Sequence, residues 1–289
     1  MPVTMNIIDN PASDRIRHVC DLARGKARRK TGRFLIEGPQ SVREAVLWRP
    51  DVVQDIFVQA QPGLSRPRVA AQSLSDIVER SQDSTIYVHL ATDEVMRRIS
   101  ADAQGIAAVG SVRAMYADTD DIHPAGSASV AAFWQVRDPG NAGTVIRTAD
   151  AAGCDAVVFV DDCVDMLNPK VIRSTAGSLF HLPVLAMGTD EFLAWSGRAS
   201  MRIIAADIYG TADRKPEMLP RLLADPAALD DRRVVLFGNE ARGLPQDLLA
   251  RADRIVAIPL YGRAESLNLA ASAAAMLLGM AMSSRMGTM

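Results

Sequence analysis

From residue 130 to the C-terminus, short apolar runs alternate with stretches of helical periodicity. The runs fall at 130–136, 156–160, 182–185, 202–206, 233–237 and 254–258, and a long helix of small residues follows the last. Apolar runs this short, separated by amphipathic segments, predict buried parallel strands with helices on both faces of one sheet. The N-terminal region alternates less regularly. A helix is predicted over 13–29 with Ser13 as N-cap, then a strand over 34–37, then a helix after Gly38-Pro39 carrying Val42, Ala45 and Val46 at helical spacing. Strands at 52–58 and 85–89, a helix at 92–99 and an extended stretch at 105–112 complete a small α/β unit. Polar residues dominate 117–129, which contains Pro124 and Gly126 and reads as a linker. The pattern thus divides the chain into a small α/β domain (1–116), a linker (117–129) and a larger, mostly parallel α/β domain (130–289).

Composition agrees with this division. The chain has 289 residues, 48% hydrophobic and 23% charged, which excludes a disordered polymer and suits about two domains. Only 5% are aromatic, so the core is expected to be Ala, Val, Leu, Ile and Met. Three scattered cysteines, Cys20, Cys154 and Cys163, cannot form a disulfide framework and point to a reducing compartment. The first 17 residues lack the apolar core of a signal peptide. The weakly polar run 269–282 is shorter than the ~20 residues of a membrane span. A cytoplasmic protein without membrane attachment is the expectation.

Charge adds a candidate partner. Net charge is -2, yet eight basic residues lie between Arg15 and Arg33 against one acid, Asp21. Such a window is either a solvated helix face or the footprint of a nucleic-acid contact. Arg17, Arg24, Lys26, Arg28, Arg29, Lys30 and Arg33 are the candidate contacts. With no aromatic residue interleaved to stack on bases, they are expected to meet phosphates.

Ligands of open parallel sheets sit beyond the carboxyl ends of the strands, so the loops after the apolar runs are the places to look for chemistry. The first is Gln135-Val136-Arg137-Asp138-Pro139-Gly140-Asn141, with a helix expected from about Ala142. Arg147 lies six residues beyond Asn141, within reach of the helix N-terminus. The pair could orient a phosphate or a sugar hydroxyl, or be a cap beside an exposed arginine. The second loop, Gly238-Asn239-Glu240-Ala241-Arg242-Gly243, follows a fully buried strand and is not a P-loop, for it lacks the Gly-Lys-Ser/Thr ending. Gly238 would let a ligand approach the backbone and Glu240 could accept a ribose hydroxyl, or the segment is an ordinary turn. The third runs from Ile258-Pro259-Leu260 to Ser266-Leu267-Asn268 at the head of the small-residue helix. Ser266 is an acceptable N-cap, whereas Asn268 inside a helix lacks a simple structural reason. That helix is either a buried core helix or a tight self-association surface.

Together, in this order, the three loops resemble the signature motifs of the SpoU/TrmH family of RNA ribose methyltransferases, within the knotted SPOUT class. The matching residues are Asn141 with Arg147-Thr148-Ala149, then Gly238, Glu240 and Gly243, then Ile258-Pro259 with Ser266-Leu267-Asn268. The resemblance runs from Val130 to the end. Gly32 through Gly38, with Val42 and Ala45, is also similar to the small ribosomal-protein-like RNA-binding domain that precedes this core in members acting on ribosomal RNA.

The resemblance implies S-adenosylmethionine as methyl donor, transfer to a ribose 2′-oxygen, a C-terminal trefoil knot holding the donor bent, and a homodimer with the knot near its interface. It places Leu236, Gly238, Asn239, Ile258, Leu260, Leu267 and Asn268 around the donor. It makes Arg147 the residue that activates the hydroxyl together with a substrate phosphate, as base or as electrostatic stabiliser. Because a guanidinium is a poor resting base, alignment of the hydroxyl and stabilisation of the developing alkoxide is the easier role to defend. Asn141, Ser266 and Asn268 would position the ribose, the donor and Arg147, and Glu240 would hold the site or the dimer partner's arginine. No metal is implied, because the leaving group is already a neutral thioether. Ribosomal RNA is favoured over the alternative, transfer RNA, by the N-terminal domain. Another alternative is a non-catalytic RNA-binding protein that keeps the fold, against which the retained Arg147, Glu240, Ser266 and Asn268 argue. A nicotinamide enzyme is disfavoured because no apolar run is followed by Gly-x-Gly-x-x-Gly. A zinc hydrolase is disfavoured because His18, His89, His123 and His181 are not at ligand spacing.

Overall fold

The computed structural model of the chain describes residues 4–61, 68–116, 128–225, 229 and 232–285. It forms two compact units, one comprising Met1–Tyr116 with Asp165–His181, the other Ala117–Val164 with Leu182–Met289. The division departs from the sequence reading at 165–181, which groups with the first unit. Most of the expected linker, 117–127, lies outside the described residues, and its last residue, Ser129, already opens a strand.

The first unit begins β1 (Thr4–Ile8), α1 (Asp14–Asp21), α2 (Gly25–Thr31), β2 (Arg33–Glu37), α3 (Pro39–Trp48) and β3 (Val53–Gln61). It continues β4 (Arg68–Val69), α4 (Gln72–Asp83), β5 (Tyr87–Ala91), α5 (Asp93–Ile99), β6 (Ile106–Ser111) and α6 (Val112–Met115). The sheet order is β1-β5-β3-β6-β2, with β4 paired to β3. β1, β5 and β3 run parallel, and β6 is antiparallel to both β3 and β2. One face is sealed by Ile16, Val19 and Leu22 and by Val95, Met96 and Ile99, which meet Leu35, Phe57, Ala107 and Val109. The single helix expected over 13–29 is two, interrupted at Leu22–Arg24, and Ser13 makes no side-chain cap.

The reason for that interruption is Arg28. It is only 5% exposed, and its guanidinium donates to the carbonyls of Leu22 and Ala23, both at 3.0 Å, as well as to Asp165 at 2.5 and 3.0 Å. These carbonyls belong to the turn between α1 and α2, so the side chain satisfies backbone that a continuous helix would have satisfied itself. Arg28 is therefore not available to RNA, contrary to the sequence reading. The other six candidates, Arg17, Arg24, Lys26, Arg29, Lys30 and Arg33, are exposed.

The second unit opens with β7 (Ser129–Trp134), α7 (Pro139–Ala151) and β8 (Ala156–Val160). After α8 (Pro169–Ser174), which belongs to the first unit, come β9 (Val184–Met187), α9 (Thr189–Arg198), β10 (Arg202–Ala206) and β11 (Glu217–Met218). α10 (Leu219–Leu223), β12 (Arg233–Phe237), α11 (Gln246–Arg251), β13 (Arg254–Ala257) and α12 (Leu269–Ser284) complete it. The seven strands are all parallel, in the order β11-β13-β10-β12-β7-β8-β9. β8 and β12 are buried at every position, as strands covered on both faces must be. The register aligns Phe133, Phe159 and Phe237 on adjacent strands, with ring centroids 6.2 and 5.1 Å apart, near the carboxyl ends. None of the described helices is long and apolar enough to cross a membrane.

Arg28→Ala strands two carbonyls and a carboxylate, and is expected to cost about 2–4 kcal/mol in urea denaturation. Arg29→Ala, one position along on the exposed side, is expected to change stability by less than about 0.5 kcal/mol.

Candidate active site

The loop after β7 turns through Gln135, held at φ 52, and reaches α7 at Asp138. Asp138 Oδ1 accepts from the Asn141 amide at 2.8 Å, and Pro139 takes the first helical position. This cap, with a proline whose φ is preset for a helix, starts α7 three residues before the expected Ala142.

The loop after β12 is a closed ring. The Asn239 amide donates to the Gly243 carbonyl at 3.1 Å, and the Gly243 amide returns a bond to Asn239 at 2.8 Å. A Cβ on Gly238 would stand 2.3 Å from the Gly243 carbonyl carbon and 2.6 Å from the Leu244 nitrogen, so only glycine allows the ring to close. Gly243 itself has φ +65. The Asn239 side chain, 9% exposed, accepts from the Ala241 and Arg242 amides at 3.0 and 3.3 Å and donates to the Gln135 carbonyl at 2.7 Å. Arg242 reaches the Gln135 side chain at 2.5 Å and lies over the Trp134 ring at 5.7 Å. The first and second loops are thereby tied together.

The loop after β13 is exposed from Tyr261 to Asn268. α12 starts at Leu269, and its N-cap is Asn268, not Ser266: Asn268 Oδ1 accepts from the Ala270 amide at 2.8 Å. That settles why an asparagine stands there, since capping favours a residue that a helix interior disfavours. With its oxygen committed to the cap, the Asn268 amide nitrogen donates to Asn141 Oδ1 at 3.1 Å. The Asn141 nitrogen in turn donates to Glu240 Oε1 at 3.0 Å. Each amide's orientation follows from its neighbour, and the chain ends on a carboxylate that accepts only.

Between these loops and the end of β10 lies a cavity of about 320 Å³. Phe237, Val256, Ile258 and Met276 give it apolar walls, while Gly238, Asn239, Glu240, Leu260, Ser266 and Leu267 line it from the second and third loops. Asp207 closes one side, one carboxylate oxygen taken by the Tyr209 and Gly210 amides at 2.8 and 2.7 Å. A more polar recess of about 620 Å³ adjoins it, lined by Arg137, Asp138, Asn141 and the shared residues Asn239, Glu240, Ala241 and Arg242.

Most of the residues expected from the sequence meet here. Two do not. Leu236 is fully buried in the core beneath the sheet ends, because alternation along β12 turns the next residue, Phe237, into the cavity wall. Arg147 lies on the exposed side of α7, outside the lining of either cavity, and its guanidinium has no partner among the described residues. Asp207, Ile208 and Tyr209 after β10, and Ser272 and Met276 of α12, line the cavity without having stood out in the sequence. The β10 end was legible as one more strand end. Met276 carried no signal inside an alanine-rich helix.

The site holds no thiol nucleophile. Burial pushes Cys154 and Cys163 up to about 11. Among the described residues no group of three or more His, Cys, Asp or Glu is placed to hold a metal ion.

A doubly covered parallel sheet whose loops close a cleft at the strands' carboxyl ends places its ligand in that cleft. The SpoU rRNA Methylase family profile matches residues 129–278. The chain is 31% identical over 272 residues to the 23S rRNA (guanosine(2553)-2′-O)-methyltransferase of Bacillus subtilis, covering 93% of this chain and 97% of that one. It is 33% identical over 151 residues to the 23S rRNA (uridine(2479)-2′-O)-methyltransferase of Streptomyces viridochromogenes, covering 50% and 49% of the two chains. A solved structure of the AdoMet-bound rRNA methyltransferase from Sinorhizobium meliloti superposes with a TM-score of 0.79 at 26% identity, covering 98% of each chain. The chain belongs to the SpoU rRNA methylase family. It is a methyltransferase whose methyl donor is S-adenosylmethionine.

The donor fits the smaller cavity. Its volume lies at the lower end of the ~300–1,000 Å³ usual for ligand pockets, its walls are apolar, and its rim is loop backbone around Gly238. Asn268→Ser keeps a capping oxygen but removes the amide that holds Asn141. It is expected to lower turnover about tenfold or more while the melting free energy stays within about 0.5 kcal/mol, whereas Asn268→Ala adds a cap loss of about 1 kcal/mol. Turnover and urea melts of both variants separate the two roles.

Proposed function

We propose that the protein methylates a ribose 2′-hydroxyl of ribosomal RNA, with the donor in the Gly238–Leu267 cavity and the target ribose in the adjoining polar recess. The observation that carries this reading is the hydrogen-bonded series Glu240–Asn141–Asn268, which joins both cavities through one set of side chains. When bound, the donor supplies a methyl group on a sulfonium, whose departure as a neutral thioether needs no metal or acid. What the protein must supply is a better oxygen nucleophile and its alignment.

In this reading Asn141 and Glu240 orient the ribose. Arg137 and Arg242, at the recess, balance the phosphates that flank it. Gly238, Asn239, Ile258, Leu260, Ser266 and Leu267 hold the donor, largely through backbone groups and apolar contact. Asn268 is a positioning residue acting through Asn141. Arg147 stabilises the negative charge that grows on the 2′-oxygen, while the proton leaves to water.

The exposed position of Arg147 supports a homodimer that completes the site. Gly140, Thr144, Arg147 and Ala151 form one exposed row on α7, and Ala271, Ala275 and Met282 are exposed on α12. Small residues at helical spacing allow another chain's backbone to come close, which would bring the arginine of one subunit to the cleft of the other. The donor loop is expected to be knotted, and β13 lying between the earlier strands β10 and β11 supports such threading. The first unit serves as the RNA-binding domain, with Arg17, Arg24, Lys26, Arg29, Lys30 and Arg33 on its exposed surface.

Purified protein, isotopically labelled S-adenosylmethionine and deproteinised ribosomal RNA are expected to yield a 2′-O-methyl nucleoside on mass-spectrometric digestion. A base-methylated product, or none, overturns the reading. Arg147→Ala is expected to lose at least about a hundredfold in turnover, the scale of a lost charge-stabilising group, with donor affinity within about tenfold. Mixing it with a Gly238→Ala variant restores part of the activity if the arginine acts across the dimer. Near-normal turnover in Arg147→Ala removes it from the mechanism.

A further inference from the structure

The first unit carries a cavity of its own, about 680 Å³, where the sheet face runs out beyond the cover of α1. Two arginines from the basic window line it, Arg15 from α1 and Arg33 from β2, together with His18. None of these three side chains has a hydrogen-bond or ion-pair partner among the described residues. The opposite wall comes from two parallel strands in register, where Asp55 of β3 sits beside Tyr87 of β5, and His89 follows two residues on.

The one acid lining the cavity is already engaged. His89 Nε2 lies 2.8 Å from Asp55 Oδ1, and that hydrogen bond, against the opposing effect of burial, holds the Asp55 carboxyl below its ordinary range. Arg15 and Arg33 lie near enough to lower that carboxyl further by their charge, yet neither bonds it, and both line the concave space. Tyr87, the first residue of β5, is 53% exposed and offers an aromatic face to the cavity that those cations line. The basic window by itself contained no aromatic residue. The fold brings one to it from a distant strand.

A cationic wall, an exposed aromatic face and a pocket of nucleotide size together favour one ligand class. A base in a duplex is stacked on its neighbours and cannot offer its face to Tyr87, whereas an unpaired base can. We propose that this cavity captures one unpaired nucleotide of the RNA substrate, its base against Tyr87 and its phosphate at Arg15 and Arg33. The proposal rests on the RNA-methylation reading for the identity of the polymer, but the contact lies in the first unit and takes no part in methyl transfer. Its consequence is selectivity: the enzyme would choose RNA by an unpaired position outside the reacting nucleotide.

The test reads binding and turnover side by side on the full-length protein. A fluorescein-labelled single-stranded oligoribonucleotide and a perfect RNA duplex of the same composition are titrated into wild type, Tyr87→Ala, Tyr87→Trp and the double variant Arg15→Gln/Arg33→Gln. The single strand is expected to bind Tyr87→Ala at least tenfold more weakly and Tyr87→Trp nearly as well as wild type, with the duplex indifferent to both. The double variant should lower the slope of log affinity against log salt by about 0.7, as for the loss of one neutralised phosphate on a single strand. With ribosomal RNA, Tyr87→Ala should raise KM while kcat at saturating RNA and donor affinity stay unchanged. Wild-type affinity, KM and salt slope in the Tyr87 and arginine variants of an enzyme that still methylates would overturn the pocket and leave the enzymatic reading standing. Equal Tyr87 dependence for strand and duplex would overturn the unpaired-nucleotide assignment. Tyr87-dependent strand binding by a protein that transfers no methyl group would sustain the pocket and remove the enzymatic reading.

Discussion

Two side-chain hydrogen bonds, from Asn268 to Asn141 and from Asn141 to Glu240, hold together three loops that are far apart in the chain. They set a direction as well as a distance. The α12 cap fixes the oxygen of Asn268, which fixes the orientation of Asn141, which in turn points a donor at the Glu240 carboxylate. Amides arranged head to tail polarise one another, so the series is stronger as a unit than as isolated contacts. Any displacement of α12 reaches Glu240 through it, and the two cavities on either side of Glu240 share that residue.

The sheet makes this convergence possible. Seven parallel strands deliver their loops to one end, and the matched phenylalanines of β7, β8 and β12 stiffen the platform on which those loops stand. Closure of the Asn239–Gly243 ring then needs a residue without a side chain at 238, because the space a Cβ would take is filled by the backbone of Gly243 and Leu244. The cavity is therefore a product of backbone shape more than of any one side chain, which suits a pocket that grips its ligand through main-chain groups.

The parts legible in the sequence were those governed by local rules. Apolar runs located β8, β10 and β12 to the residue, since a strand buried on both faces writes itself as an uninterrupted run. Loop glycines and asparagines marked the site for the same reason. What escaped was long-range. Arg28 reads as one more surface cation until Asp165, from a distant segment, is seen beside it, and the same side chain's bonds to the Leu22 and Ala23 carbonyls hold the α1–α2 break. Ser266 reads as an acceptable cap, and the bond from the Ala270 amide to Asn268 Oδ1 shows that the asparagine caps the helix instead. Tyr87 lies outside the basic window, so no reading of that window could have supplied an aromatic face to it.

Backbone closure around Gly238 is what shapes the proposed donor pocket. Calorimetric titration of S-adenosylmethionine into wild type and Gly238→Ala, with circular dichroism to verify that both are folded, tests it most directly. Wild type is expected to bind saturably and the variant at least tenfold more weakly, since the added methyl group forces the Asn239–Gly243 ring apart. An unchanged affinity in a folded Gly238→Ala protein would contradict it.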